Sequence, residues 1–184
     1  MKIKISTEQI LKILYILSWI IFVGVCIEAG GFIFNGFFTL LIDPNGASKF
    51  WTEVDLSALY KFDRGYFFVE ILLMSIVGVL RACLFYIILK ILHDKKLNMA
   101  SPFSREVGKF IFKLAYLSLG IGLFSWWGVR YAEWFVSQGV IMPEIHYLRL
   151  GGADVWLFMS VILFVIALIF KRGIEIQTEN ELTI

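Results

Sequence analysis

Five ionisable residues stand inside or at the edges of long apolar runs: Glu28, Glu70, Arg81, Arg130 and Asp154. Charge in hydrocarbon is costly, so such groups face protein or water and pair with one another. Counted at 1.5 Å per helical residue, Glu28 lies about 24 Å above Lys12, Arg130 about 25 Å above Lys113, and Asp154 about 25 Å above Lys171. Glu70 comes at about 30 Å from Lys90, while Arg81 stands near mid-membrane, at about 13 Å. This counting predicts one outer layer to which four helices bring charge, with Arg130 as counter-ion of Glu28 or Asp154. Such a layer has two uses. It can clamp helix register, or it can form an outward polar pocket for a small ligand, a peptide or an ion. On the pocket reading the ligand-binding candidates are Glu28, Glu70, Arg81, Arg130 and Asp154.

Helical spacing supports the layer. Gly24, Glu28, Gly31 and Asn35 recur at 4-3-4 and form one stripe, whose small residues let a neighbouring helix approach Glu28. Ala115, Ser118, Gly122 and Ser125 recur at 3-4-3 as a second small stripe. Glu70 and Arg81 share a face but lie roughly 16 Å apart along it, too far to pair. Arg81 therefore needs a partner from another helix, or must snorkel.

Other chemistry is not encoded. The sequence carries no nucleophile elbow, phosphate-binding glycine loop, zincin pair or dinucleotide fingerprint. His93 and His146 are expected on opposite sides of the membrane, so they cannot share a metal or haem. Cys26 and Cys83 sit in apolar runs as small fillers. The expectation is a protein that is not an enzyme, with no metal and no cofactor.

The elements that hold these residues follow from composition. Of 184 residues, 59% are hydrophobic and only 17% charged, with 17 basic and 15 acidic side chains. A soluble domain carries about 25% charged residues. The balance excludes disorder and an ordinary nucleic-acid binder, and it calls for the lipid bilayer as solvent. Four runs meet the requirement of about 20 apolar residues for a crossing. They predict an all-α, four-transmembrane-helix bundle in one integral membrane domain, with spans at about 13–36, 66–90, 110–130 and 153–171. The first apolar run continues to Ile42, longer than one upright crossing, and Gly30-Gly31 and Asn35-Gly36 either kink it or carry its end into the outer headgroups. It outruns a signal-peptide core and lacks a small-x-small cleavage site, so it is read as a true span.

Flanking charge sets sidedness. Lys2, Lys4, Lys12, Lys90, Lys95, Lys96, Arg105, Lys109, Lys113, Lys171 and Arg172 lie on one side, against Lys49, Lys61, Arg64, Arg130 and Arg149 on the other. The positive-inside rule then puts both termini and the loop 92–109 in the cytoplasm, and two longer loops outside. In the first outer loop, Asp43-Pro44-Asn45-Gly46 has type I turn chemistry. The stretch Phe50–Phe62 fits neither a helical nor a strand period, leaving a short interfacial helix and a β-hairpin both open.

On the cytoplasmic side, Lys95, Lys96, Ser101, Pro102 and Phe103 form a basic turn, with Ser101 as N-cap and Pro102 in the first turn of the third span. The tail ends in an acidic and apolar tip containing Glu179 and Glu181. These two stretches are the candidate docking surface for a cytosolic partner.

They also carry a resemblance. Ser101-Pro102-Phe103-Ser104 and the ending from Phe170 to Ile184 resemble those of a bacterial family of small four-span membrane proteins, a domain of unknown function. Glu181 stands where aspartate is usual in that family, and Ile184 where valine is. Its members are often encoded beside a Cro-like helix-turn-helix regulator. The resemblance implies a bacterial inner-membrane protein working with such a DNA-binding partner, with no direct nucleic-acid contact of its own. The expected function is a sensor or regulator that couples the outer pocket to a cytoplasmic partner. The alternative is a small transporter, exporter or immunity-type protein for a peptide, lipid or ion.

Overall fold

A computed structural model describes residues 6–94 and 103–181, with side chains through residue 179. Five α-helices follow in order: α1 Thr7–Leu41, α2 Ser57–Phe62, α3 Arg64–His93, α4 Arg105–Ser137 and α5 Ala153–Glu181. A 3-10 helix, Pro44–Lys49, lies between α1 and α2. Four of the α-helices, α1, α3, α4 and α5, are long and apolar enough to cross a membrane, which is the build of a multi-pass membrane protein. The chain is all-helical among the described residues, apart from one isolated bridge between Trp51 and Val54.

The helices begin where local chemistry satisfies their first amide groups. Ser6 and Gln9 form a reciprocal capping box at the start of α1. Asp63 accepts from the backbone N–H groups of Gly65 and Tyr66 at the start of α3, at 2.7 and 2.9 Å. Ser104 accepts from Val107 N–H and caps α4, so the cap lies three residues after the expected Ser101 and the helix starts at Arg105. Ser101 and Pro102 lie outside the described residues. α1 runs as one unbroken helix through Gly30-Gly31 and Asn35-Gly36.

The packing is an open row rather than a closed bundle. α1 packs on α3, α3 on α4 and α4 on α5; α1 and α5 do not close the ring with a comparable contact. Burial follows this order. In the most apolar stretches of α3 and α4, 39% of residues are buried, against 6% in α1 and 11% in α5. The outer members of the row leave large side chains such as Ile20, Ile27, Phe158 and Val161 exposed, as helices in lipid do. We call the side with Thr7, His93, Arg105 and Glu181 the terminal side, and the opposite one the far side.

Close approaches set the register. Gly78 of α3 meets α1 so tightly that a Cβ there would lie 3.1 Å from the Cβ of Ala29 and 3.2 Å from its Cα. Gly122 of α4 likewise makes room for Leu157 of α5. The stripe containing it behaves as its spacing predicts, since Ala115, Ser118 and Ser125 are all buried. Gly78→Leu is expected to push α1 off α3 and cost about 1–3 kcal/mol. Thermal unfolding of the purified protein in detergent checks this, and an unchanged midpoint would show that the approach is not tight.

Both far-side connections fold back onto the helices. In the first, the Asp43 turn continues into the 3-10 helix, and of the two open readings of Phe50–Phe62 the short helix forms, as α2, while no strand is present among the described residues. Phe50 N–H donates to the Val54 carbonyl at 3.1 Å and Val54 N–H to the Trp51 carbonyl at 3.0 Å, and α2 follows. Phe50, Val54, Leu56 and Leu59 are fully buried or nearly so. The second connection, 138–152, sinks Leu148 and Leu150 completely, with Leu150 seated against Gly128.

Candidate functional site: a charged layer and its latch

The stripe Gly24, Glu28, Gly31 and Asn35 receives the far-side connections instead of a neighbouring helix. Gly31 is covered by the indole of Trp51, and Asn35 Nδ2 donates to the Phe50 carbonyl at 2.7 Å. Gly24 has open space where a Cβ would stand. At Glu28 the visitor is Arg149, whose Nε lies 2.7 Å from Glu28 Oε1. This pair ties α1 to the connection between α4 and α5, two elements that α1 hardly touches otherwise.

Arg149 has a φ of +58°, in the left-handed region that side-chain-bearing residues rarely adopt. Such a conformation costs on the order of 1–3 kcal/mol and persists only where its surroundings hold it. Here the flanking Leu148 and Leu150 are fully buried and present the guanidinium between them. The two connections also meet each other: hydrogen bonding to Glu53, together with its charge, pushes the Tyr147 hydroxyl above its ordinary pKa.

Arg81 joins this layer from α3. Glu28 attracts it and Arg149 repels it, and its guanidinium lies 5.8 Å from the ring centroid of Trp156 on α5. That contact is the partner from another helix that Arg81 required, and part of it is a cation–π interaction. Its Nε is buried with no hydrogen-bond partner. Glu28 is paired with Arg149 and also acts on the charge of Arg81, so the local balance is one positive charge in excess. Glu28 keeps 18% of its side-chain exposure and Arg149 48%, so the pair is open to displacement.

The heights expected from flanking lysines need correction. The Tyr15 hydroxyl and His93 Nδ1 share a hydrogen bond of 3.1 Å, which sets residue 15 of α1 level with residue 93 of α3. From that pair Glu28 is thirteen residues up and Arg81 twelve, about 20 and 18 Å. The two are therefore neighbours in height.

The remaining candidates lie elsewhere. Arg130 is not the counter-ion of Glu28 or Asp154. It is exposed, reaches Glu133 on its own helix at 3.4 Å, and lies 5.9 Å from the ring centroid of Trp126. Asp154 is exposed in the first turn of α5. Glu70 is fully buried nearer the far side, and neither carboxyl oxygen has a hydrogen-bond partner. Four helices do not bring their charges into one layer. The layer consists of Glu28, Arg81 and the unforeseen Arg149. Its signal in the sequence is the lone cation of Leu148-Arg149-Leu150, alternating with apolar residues in a loop.

On the terminal side, Phe103 covers Gly173 and packs on Phe170, with ring centroids 5.1 Å apart. The start of α4 and the tail of α5 are therefore joined. Lys95 and Lys96, like Ser101 and Pro102, fall outside the described residues. Glu179 is exposed on α5, and Glu181 is its last residue. Among the described residues no group of three or more His, Cys, Asp or Glu could hold a metal ion. No protein-family model matches the chain, and no curated protein or solved structure matches it either.

Proposed function

We propose that the protein is a non-enzymatic regulator in the bacterial cytoplasmic membrane, both termini in the cytoplasm, switched by release of the Glu28–Arg149 latch. One observation carries this reading: the 2.7 Å pair joins α1 to a connection belonging to the other end of the helix row. An anionic group, carboxylate or phosphate, competes with Glu28 for Arg149 and finds a layer already one positive charge in excess. A ligand shifts a conformational balance only by binding the two arrangements differently. Displacement of Glu28 supplies that difference, because the ligand binds where the latch is open.

α1 carries the change across. It is the least buried of the spanning helices, and its terminal-side end meets α3 through Tyr15 and His93. The receiving surface is the basic turn Lys95, Lys96, Ser101, Pro102 and Phe103 with the tail residues Glu179 and Glu181. The partner is the Cro-like regulator that the family resemblance implies. A transporter needs Glu70 and Arg81 to line one path. Glu70 is instead fully buried and Arg81 is engaged by Trp156, which favours the latch.

Pull-down of the neighbouring helix-turn-helix regulator tests this, using the wild type, a chain ending at Gly173, and Arg149→Gln. The expected result is strong recovery by the wild type, loss on truncation, and altered recovery by Arg149→Gln. Equal recovery by all three would remove both tail and latch from the mechanism.

A further inference from the structure

We propose that the terminal-side cleft between α4 and α5 binds the phosphodiester headgroup of an anionic phospholipid. The cleft has a volume of about 470 Å³ and lies between the start of α4 and the end of α5. That volume is within the roughly 300–1,000 Å³ of small-molecule sites. At Gly108 the side chain of Ile174 packs closely on α4, since a Cβ there would lie 3.2 Å from Ile174 Cδ1.

Three cations converge on the cleft: Arg105 and Lys109 from α4, and Lys171 from α5. Among the described residues, none of the three makes an ion pair. The cleft also has acidic side chains, Glu175 and Glu179. Glu175 is held by Arg172 at 3.1 Å. Glu179 lies eight residues beyond Lys171, about 12 Å farther from the apolar part of α5. By the Gly108–Ile174 contact, Lys109 and Lys171 lie on the hydrocarbon side of both acids, and Arg105 lies between Glu175 and Glu179 in height.

Phe112 and Ile174 supply the apolar lining. A group with a negative head and an oily body fits that order of side chains. A free phosphate would use only the cations and leave the apolar wall bare. Basic pockets between spanning helices are suited to such headgroups, and each cation near the surface adds attraction. The inference is independent of the latch. It needs only the four-span reading and the geometry of α4 and α5.

The test uses the full chain purified in a zwitterionic detergent, with thermal unfolding and native mass spectrometry as readouts. Phosphatidylglycerol and cardiolipin are added in one arm, phosphatidylcholine in a second and inorganic phosphate in a third. The expected result is a rise in the unfolding midpoint and retained lipid only in the first arm. Lys109→Gln/Lys171→Gln is expected to weaken that binding roughly tenfold or more, while Lys49→Gln/Lys61→Gln on the far side leaves it unchanged. Equal effects of phosphatidylcholine, or undiminished binding by the Lys109/Lys171 variant, would overturn the proposal. An equal shift with inorganic phosphate would also overturn it, by showing an anion site without lipid.

Discussion

Replacing Glu70 with methionine raises the unfolding temperature of this protein. Glu70 is fully buried, and both carboxyl oxygens lack hydrogen-bond partners. A buried polar group left unsatisfied costs about 1–3 kcal/mol. Methionine is close in size and flexible enough to fill the same space. Glu70→Met should therefore gain on the order of 1–3 kcal/mol, seen as a midpoint higher by a few degrees. Glu70→Lys, which puts a longer cation in the same enclosure, should lower it. If Glu70→Met instead lowers the midpoint, the carboxyl is a structural partner, and its burial is part of the fold's support. A gain means that the residue is kept despite its effect on stability, as residues in working sites are.

The second large effect concerns the latch. Glu28→Arg adds a third guanidinium to the layer of Arg81 and Arg149, and removes the carboxylate that pairs with Arg149. Breaking a buried pair in this way costs about 3–5 kcal/mol. Arg149 is half exposed, and solvent screening reduces the loss, so about 2–4 kcal/mol is expected here. Arg149→Glu should cost less than Glu28→Arg, because Arg81 remains near both carboxylates. The double variant Glu28→Arg/Arg149→Glu restores one opposite-charge pair across the same gap. It should recover more than half of the larger loss, with a coupling of about 1–3 kcal/mol. Strict additivity of the two single effects would show that the pair does not hold the connection.

The spans were legible because a crossing needs only length and apolarity, and α1, α3, α4 and α5 have both in excess. The small stripe around Gly122 was legible for a related reason: periodicity alone puts Ala115, Ser118 and Ser125 on the buried face. Heights were not. Lys12 and Lys90 are flexible cations that reach toward headgroups from different levels, so they are poor rulers. Tyr15 and His93 give the true register, and only a tertiary contact reveals it. Counting from the lysines separates Glu28 and Arg81 by about 11 Å in height, whereas they are nearly level.

The far-side loops were opaque in another way. A loop has no period, so nothing local says that Leu148 and Leu150 sink or that Arg149 faces α1. The same gap misassigned the stripe at Gly31. Small residues on α1 indicated close approach correctly, but the approaching group is Trp51 from a connection. Arg130 was misread because a cation near Glu133 on its own helix has a local partner, and i,i+3 neighbours form without any tertiary fold.

The coupling between latch and terminal side can be read as a distance distribution. Spin labels at Lys12 and Lys90, both exposed on either side of the Tyr15–His93 contact, report how α1 sits on α3 in lipid nanodiscs. The wild type should give one narrow distribution. Arg149→Gln should broaden it or add a second, longer population, and Glu28→Arg/Arg149→Glu should return it toward one. Identical distributions in all three proteins would mean that α1 does not respond to its far-side tie, and that the Glu28–Arg149 pair is a fastening without a message.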